Sequence, residues 1–283
     1  MKIEAITPGF AADLAGVDVR RLSEGDFEVL YNAWLRYGVL RLRGQGLEES
    51  DLETFSARFG PLEEVPLGRL SDAQRAKVKN RFVTQISNIV VNGKPIGGLG
   101  NAEASWHSDM TYVPTPPPAS VLLGVEIPPA GGDTYFADQA AALDALPAPL
   151  RSRIETLSIK HDAAHTSVGE LRRGFEPFDD PRDAPGAVHP MILRHEETGR
   201  QALYLGRREW AYVPGLSLEA SEALLDELWS YAIRPDAIFR QQWRPGDLII
   251  WDNRRVLHRR DDFDPQSRRL MKRCQVLRRQ AKA

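Results

Sequence analysis

The chain has 283 residues, 42% of them hydrophobic, with 37 Lys and Arg against 39 Asp and Glu for a formal net charge of −2. This is ordinary globular composition, and the near-neutral balance argues against a general nucleic-acid binder. The one cysteine, Cys274, permits neither an internal disulfide nor a cysteine-based zinc or iron–sulfur site, so a reducing, cytoplasmic compartment is expected.

No window approaches the ~18 apolar residues of a membrane span, and the N-terminus lacks the apolar stretch of a signal peptide, so a soluble protein is expected. Ser23 is the predicted N-cap of a helix over 24–36, with Phe27, Leu30, Tyr31 and Leu35 on its apolar stripe. Gly38 stops it before the strand GVLRLRG. A second helix over 49–59 runs into Gly60-Pro61, after which 62–80 reads as polar and irregular. VTQISNIVVNG suggests a hairpin around Asn92-Gly93, and the Pro116-Pro117-Pro118 run stiffens the approach to the strand ASVLLGVEI. The segment DTYFAD follows a Gly-Gly turn, and Asp138 is placed to cap a helix reaching 157.

Residues 161–186 read as a long, lid-like loop. Beyond it lie the alternating strands HPMILRH and QALYLG, a helix over 218–233, and the strands AIFRQQW, GDLIIWDN and RRLMKRCQVL. Many strands, few helices and no regular βαβ alternation predict a mainly β chain with surrounding helices. The expected architecture is one domain over 1–283, a β-sandwich or jelly roll.

With cysteine nearly absent, chemistry is sought among the six histidines, at 107, 161, 165, 189, 195 and 258. His107-Ser108-Asp109 places an imidazole and a carboxylate two residues apart, on one face of extended backbone. His258, just beyond GDLIIWDN, is the best third ligand. Two histidines and a carboxylate on one face of an octahedron leave three open positions, as in non-heme Fe(II) oxygenases. The H-x-[DE] pattern alone is weak, since this composition yields about 0.8 chance matches. A second copy, His195-Glu196-Glu197, sits in a polar turn and reads as a solvated hairpin. His161 and His165 read as surface or hinge residues, and His189 as the start of a strand.

On a strand, Arg269, Met271, Arg273 and Gln275 share a face. Two inward arginines at that spacing suit bidentate carboxylate binding, while an edge strand with solvated charges is the plain alternative. Thr134 could add a hydroxyl or serve only as a strand former. Trp106, Trp243 and Trp251 read as core, with Trp106 also able to shield the metal.

In these segments the chain resembles the Fe(II)/2-oxoglutarate-dependent taurine and 2,4-dichlorophenoxyacetate dioxygenase family (TauD/TfdA). The matching stretches are LRLRGQGL, FSARFGPLE, WHSDMTY, PPAGGDTYFAD, HP at 189–190, and GDLIIWDNRRVLH through RRLMKR. The resemblance implies a double-stranded β-helix, cupin-like core with His107, Asp109 and His258 on Fe(II). It further implies Thr134 and Arg269 on the distal carboxylate of the cosubstrate 2-oxoglutarate, with Arg273 near the substrate's anionic group or on 2-oxoglutarate itself. O2 would then be used to hydroxylate a C–H bond of a small organic anion, yielding succinate and CO2, and relatives suggest a dimer or tetramer. Retention of Asp109 favours hydroxylation over halogenation.

In the taurine enzyme a His after the FG segment and an Asn four residues before the first iron-binding His help hold the sulfonate. Here FGPLEEVP has no His and that Asn position is Glu103, so taurine itself is disfavoured. Glu103, Ser105, Tyr112 and the 161–186 loop are the candidate substrate pocket. Rival readings are the same chemistry on an amino acid or natural-product intermediate, and a non-catalytic metal-binding jelly roll. Nucleic-acid binding through the arginines between 254 and 279 is a weaker one, because acids interrupt them.

Overall fold

The strand Ala119–Glu126 explains the layering of the chain. Its Val121 and Leu123 pack with Trp34, Leu40, Leu52 and Phe55 on one side, whereas Leu122 meets Phe136, Trp251 and Met271 on the other. Successive side chains of a strand face opposite ways, so an unbroken apolar run belongs to a sheet covered on both faces. The computed structural model, which describes residues 1–65 and 80–278, places this strand inside an eight-stranded sheet. The order is Lys2–Thr7, Ala11–Ala15, Val39–Leu42, Leu248–Asp252, Ala119–Glu126, Leu270–Val276, Thr84–Ser87 and Gly98–Leu99.

A second sheet runs Ile238–Gln241, Thr134–Asp138, Val256–Arg260 and Ala104–His107. Its Phe136, Phe239 and Val256 join Ile249, Trp251 and Met271 of the first in one apolar cluster, so the sheets face each other as a jelly roll. Helices Glu24–Tyr37 and Glu49–Ala57 cover the outer face of the larger sheet. Helices Gln139–Asp144, Ala148–Ile154 and Leu218–Ala232 cover that of the smaller. No helix among the described residues is long and apolar enough to cross a membrane.

Local signals account for most boundaries. The Ser23 hydroxyl accepts from the Asp26 N–H at 3.1 Å, and Gly38, at φ 78°, donates its N–H to the Trp34 carbonyl. Asn92 and Gly93, both at positive φ, join Val90–Val91 to Lys94–Pro95 in the expected hairpin. The helix expected from Asp138 to 157 is instead two. Asp138 caps the first, but Pro147 lacks the N–H that would continue the ladder and starts the second as its N-cap. The irregular 62–80 reading lies largely outside the described residues.

The solvated reading of His195 fails. The turn between Ile192–Arg194 and Gln201–Leu203 is polar, but His195 itself is only 4% exposed. Its Nδ1 accepts from the N–H groups of Glu197 and Thr198, both at 3.2 Å, so the proton sits on Nε2 and is donated to Asp252 at 2.9 Å. Burial opposes the Asp252 charge, yet Arg254 at 2.8 Å and His195 hold that carboxyl well below the usual range. Removing one partner of a buried ion pair leaves the other uncompensated. Asp252→Ala should therefore destabilise the fold by about 3–5 kcal/mol, read as a lowered urea midpoint.

Candidate metal centre

His107 closes the strand Ala104–His107 and lies opposite His258 in the antiparallel neighbour, with ring centroids 4.1 Å apart. Asp109 follows in a tight turn where Met110 takes φ 53°. Between them, Ser108 anchors the turn: its N–H donates to the Gly206 carbonyl at 3.0 Å, and its Oγ lies 2.9 and 2.7 Å from the carbonyls of Asn253 and Val256. The donor atoms of His107, Asp109 and His258 all fall within 4.8 Å of one another. Asp109 Oδ1 is 3.8 Å from His107 Nε2 and 3.9 Å from His258 Nε2.

The His107 Nδ1–H donates to the Ser105 carbonyl at 2.7 Å, which leaves the Nε2 lone pair facing the cluster. Burial, aided by the charges of Arg207 and Arg273, pushes the His107 pKa down; burial and the neighbouring His107 push that of His258 to about 3. For Asp109, burial works the other way, but the charge of Arg273 and the hydrogen bond from Ser120 hold it ionised, well below the usual range. Neutral imidazoles and an ionised carboxylate are the states in which these groups bind a divalent metal.

Beside the cluster, a cavity of about 50 Å³ is lined by Thr134, His107, His258, Arg269 and Arg273 among others. The strand Leu270–Val276, which carries Arg273 and directly follows Arg269, lies between Ala119–Glu126 and Thr84–Ser87, so the edge-strand alternative fails. Arg269 is 2% exposed; among the described residues its guanidinium forms no ion pair and meets only the Gly132 carbonyl at 3.4 Å, with Nε unpaired. Burial, then the charge of Arg260, lowers its pKa to about 9. Thr134 Oγ accepts from the Trp243 indole N–H at 2.9 Å, leaving the hydroxyl proton to donate elsewhere. A buried, under-paired guanidinium beside a free hydroxyl donor fits a carboxylate ligand.

A larger cavity of about 270 Å³ is lined by Glu103, Ser105, His165, Ser167, Arg207 and Trp210 among others. Ser167 lines both cavities, and its carbonyl accepts from the Ser105 N–H at 2.8 Å. Glu103 is exposed and paired with Arg259 at 3.2 Å. Tyr112 lines neither cavity; its hydroxyl accepts from Arg172 at 3.0 Å. Arg207 was not among the expected residues, and nothing in GRREW marks it. It bridges His107 by backbone pairing while its guanidinium reaches Asp162 at 2.5 Å and the Thr166 carbonyl at 2.6 Å.

Neither loop histidine is a surface residue. His165 stacks on Trp210, 5.0 Å between centroids and 8° between planes. His161 is 2% exposed, packs against His189 and Tyr204, and has no hydrogen bond on either nitrogen from the described residues. Burial, with the charges of His189 and Arg207, drops its pKa to about 3. The unfolded chain, titrating near 6.5, then binds more protons between pH 6.5 and 3, so stability falls as pH drops through that window. The slope is at most about 1.4 kcal/mol per pH unit for one group. His161→Phe should flatten this part of the acid limb in urea-unfolding curves measured from pH 6.5 to 4.

A model of the taurine catabolism dioxygenase TauD, TfdA family matches residues 2–275. The (S)-phenoxypropionate/alpha-ketoglutarate-dioxygenase of Sphingobium herbicidovorans is 32% identical over 268 residues, 93% of this chain and 90% of that protein. The alpha-ketoglutarate-dependent 2,4-dichlorophenoxyacetate dioxygenase of Cupriavidus pinatubonensis is 34% identical over 279 residues, 95% of each. The crystal structure of AAD-2 with Mn(II) and N-oxalylglycine aligns with TM-score 0.79 and 27% identity, covering 99% of this chain and 98% of that one. With its jelly roll and its cluster of two histidines and an aspartate, the chain belongs to the TauD/TfdA family of 2-oxoglutarate-dependent dioxygenases.

Proposed function

We propose that this enzyme hydroxylates a C–H bond of a small organic anion, a carboxylate, sulfonate or sulfate ester, at a centre held by His107, Asp109 and His258. The observation that carries the reading is the metal-ready triad lying beside a buried arginine that forms no ion pair among the described residues. When bound, Fe(II) and 2-oxoglutarate supply the oxidising chemistry: one O2 and one 2-oxoglutarate yield succinate, CO2 and a substrate C–OH. Where the new hydroxyl sits on a carbon bearing an ether or sulfur substituent, the adjacent C–O or C–S bond can then break.

The chain's own groups bind and orient. Arg269 and Thr134 receive the distal carboxylate of 2-oxoglutarate. Ser105, Glu103 and the loop over 161–186 border the substrate, with that loop as a lid that keeps water from the centre. Arg273 pairs with the substrate anion. A second reading has support from one observation: Arg273 lines the small cavity with Arg269 and not the larger one, as expected if it contacts 2-oxoglutarate and the substrate is an amino acid or natural-product intermediate.

Four measurements test this. Ala at His107, Asp109 or His258 should abolish substrate-dependent succinate formation, and preserved turnover would overturn the assignment. Arg269→Gln should raise the KM for 2-oxoglutarate by roughly 30- to 150-fold, the loss of about 2–3 kcal/mol for a charge-assisted pair. A panel of carboxylates, sulfonates, sulfate esters and aryloxyalkanoates, followed by O2 consumption, should show activity. With an active substrate, Arg273→Gln should raise the KM of that substrate on the first reading and of 2-oxoglutarate on the second.

A further inference from the structure

Behind Asp109 runs a chain of buried side chains whose hydrogen-bond directions can be assigned without ambiguity. Trp251 Nε1–H can only donate, and it lies 2.7 Å from Asn253 Oδ1. The Pro117 carbonyl can only accept, and it lies 3.1 Å from Asn253 Nδ2. These two contacts fix the amide, so Nδ2 also donates to Ser120 Oγ at 3.0 Å. With its acceptor role filled from that side, the single Ser120 proton goes to Asp109 Oδ2 at 2.7 Å. Ser120, Trp251 and Asn253 are all 1% exposed or less, so no solvent competes.

The two carboxylate oxygens of Asp109 therefore have different surroundings. Oδ1 faces the Nε2 atoms of both histidines and Arg273 at 3.1 Å, whereas Oδ2 is turned away and occupied by the serine. We infer that Ser120 is a positioning residue that restricts Asp109 to one coordinating oxygen, with Asn253 and Trp251 fixing the direction of its proton. The consequence is arithmetic on an octahedron. Carboxylates bind divalent metals through one oxygen or two. With one, the triad leaves three positions, two for 2-oxoglutarate and one for the diatomic gas; with two, that last position is lost. A hydrogen bond to an ionised acceptor is strong enough to hold the difference.

This inference rests on the metal reading above, and the test separates the two. Wild-type protein and Ser120→Ala are loaded anaerobically with Fe(II) and saturating 2-oxoglutarate, followed by the charge-transfer absorption of the chelate. Nitric oxide, a stand-in for O2, is then titrated and followed by electron paramagnetic resonance. Wild type failing to load Fe(II) would overturn the metal reading itself. If Ser120→Ala loads both and binds nitric oxide at least about tenfold more weakly, the inference holds. Unchanged nitric oxide affinity overturns it, as does outright loss of Fe(II), which would make Ser120 a general support of the site. Should Ser120→Ala not fold, Asn253→Asp carries the same test, because it replaces the donor with an acceptor that draws the serine proton off Asp109. The same weakening is expected there, and unchanged affinity overturns the inference.

Discussion

The ionised carboxylate of Asp109, almost fully enclosed by protein, is the feature around which the remaining parts are arranged. Taking such a charge out of water costs several kcal/mol unless positive charge and hydrogen bonds meet it on more than one side. Arg273 brings the charge from one strand of the larger sheet and Ser120 a hydrogen bond from its neighbour, while the smaller sheet closes the remaining side with the uncharged ring of His258. Asp109 itself lies in a turn between sheets. A single hairpin could not surround one carboxylate from these directions; two facing sheets can. The jelly roll is thus the means by which a loop aspartate stays charged next to two neutral imidazoles.

A second consequence concerns the local excess of arginine toward the C-terminus. Arg254 is matched by Asp252 and Glu197, Arg255 by Asp138, Arg259 by Asp261 and Glu103, and Arg268 by Glu126. Arg260 instead reaches backbone carbonyls of Leu99 and Ala102. Among the described residues Arg269, like Arg260, forms no ion pair, and it is the less satisfied of the two, with one carbonyl at 3.4 Å against two for Arg260. Number and spacing of arginines therefore mislead about anion binding. The informative property is the missing partner, and that is visible only once the chain is folded.

Legibility followed the range of the interaction. Ser23, Gly38, Asn92-Gly93 and Asp138 act on residues two to four positions away, and each marked its boundary in the sequence. The His–x–Asp pair was legible for the same reason, as was the shared face of Arg269 and Arg273. His195 was misread because its neighbours in the chain are polar while its partner Asp252 stands 57 residues on. Arg207 carried no local signal at all. Ser120 left a faint one, a lone hydroxyl inside the apolar run ASVLLGVEI, a place where a polar group persists only if something accepts or donates to it.

The loop over 161–186 is anchored at several points along its length, and the strength of the anchoring varies. Its first part is tied to the metal turn through Arg207, whose guanidinium holds Asp162 and the carbonyls of His165 and Thr166 while its backbone pairs with His107. Releasing that part would leave a buried arginine and a buried aspartate without partners, a cost of several kcal/mol. Beyond Gly169, Arg172 still reaches the Tyr112 hydroxyl and Phe178 still packs on Trp210, whereas the Asp180–Arg182 pair is local and exposed, worth little in water. Gly169, Gly174 and Gly186 all sit at positive φ, where glycine alone is unstrained. The contacts around Asp180 are therefore the least costly part of the loop to release, while Ser167 lies at the wall shared by the two cavities, its carbonyl bonded to the Ser105 N–H.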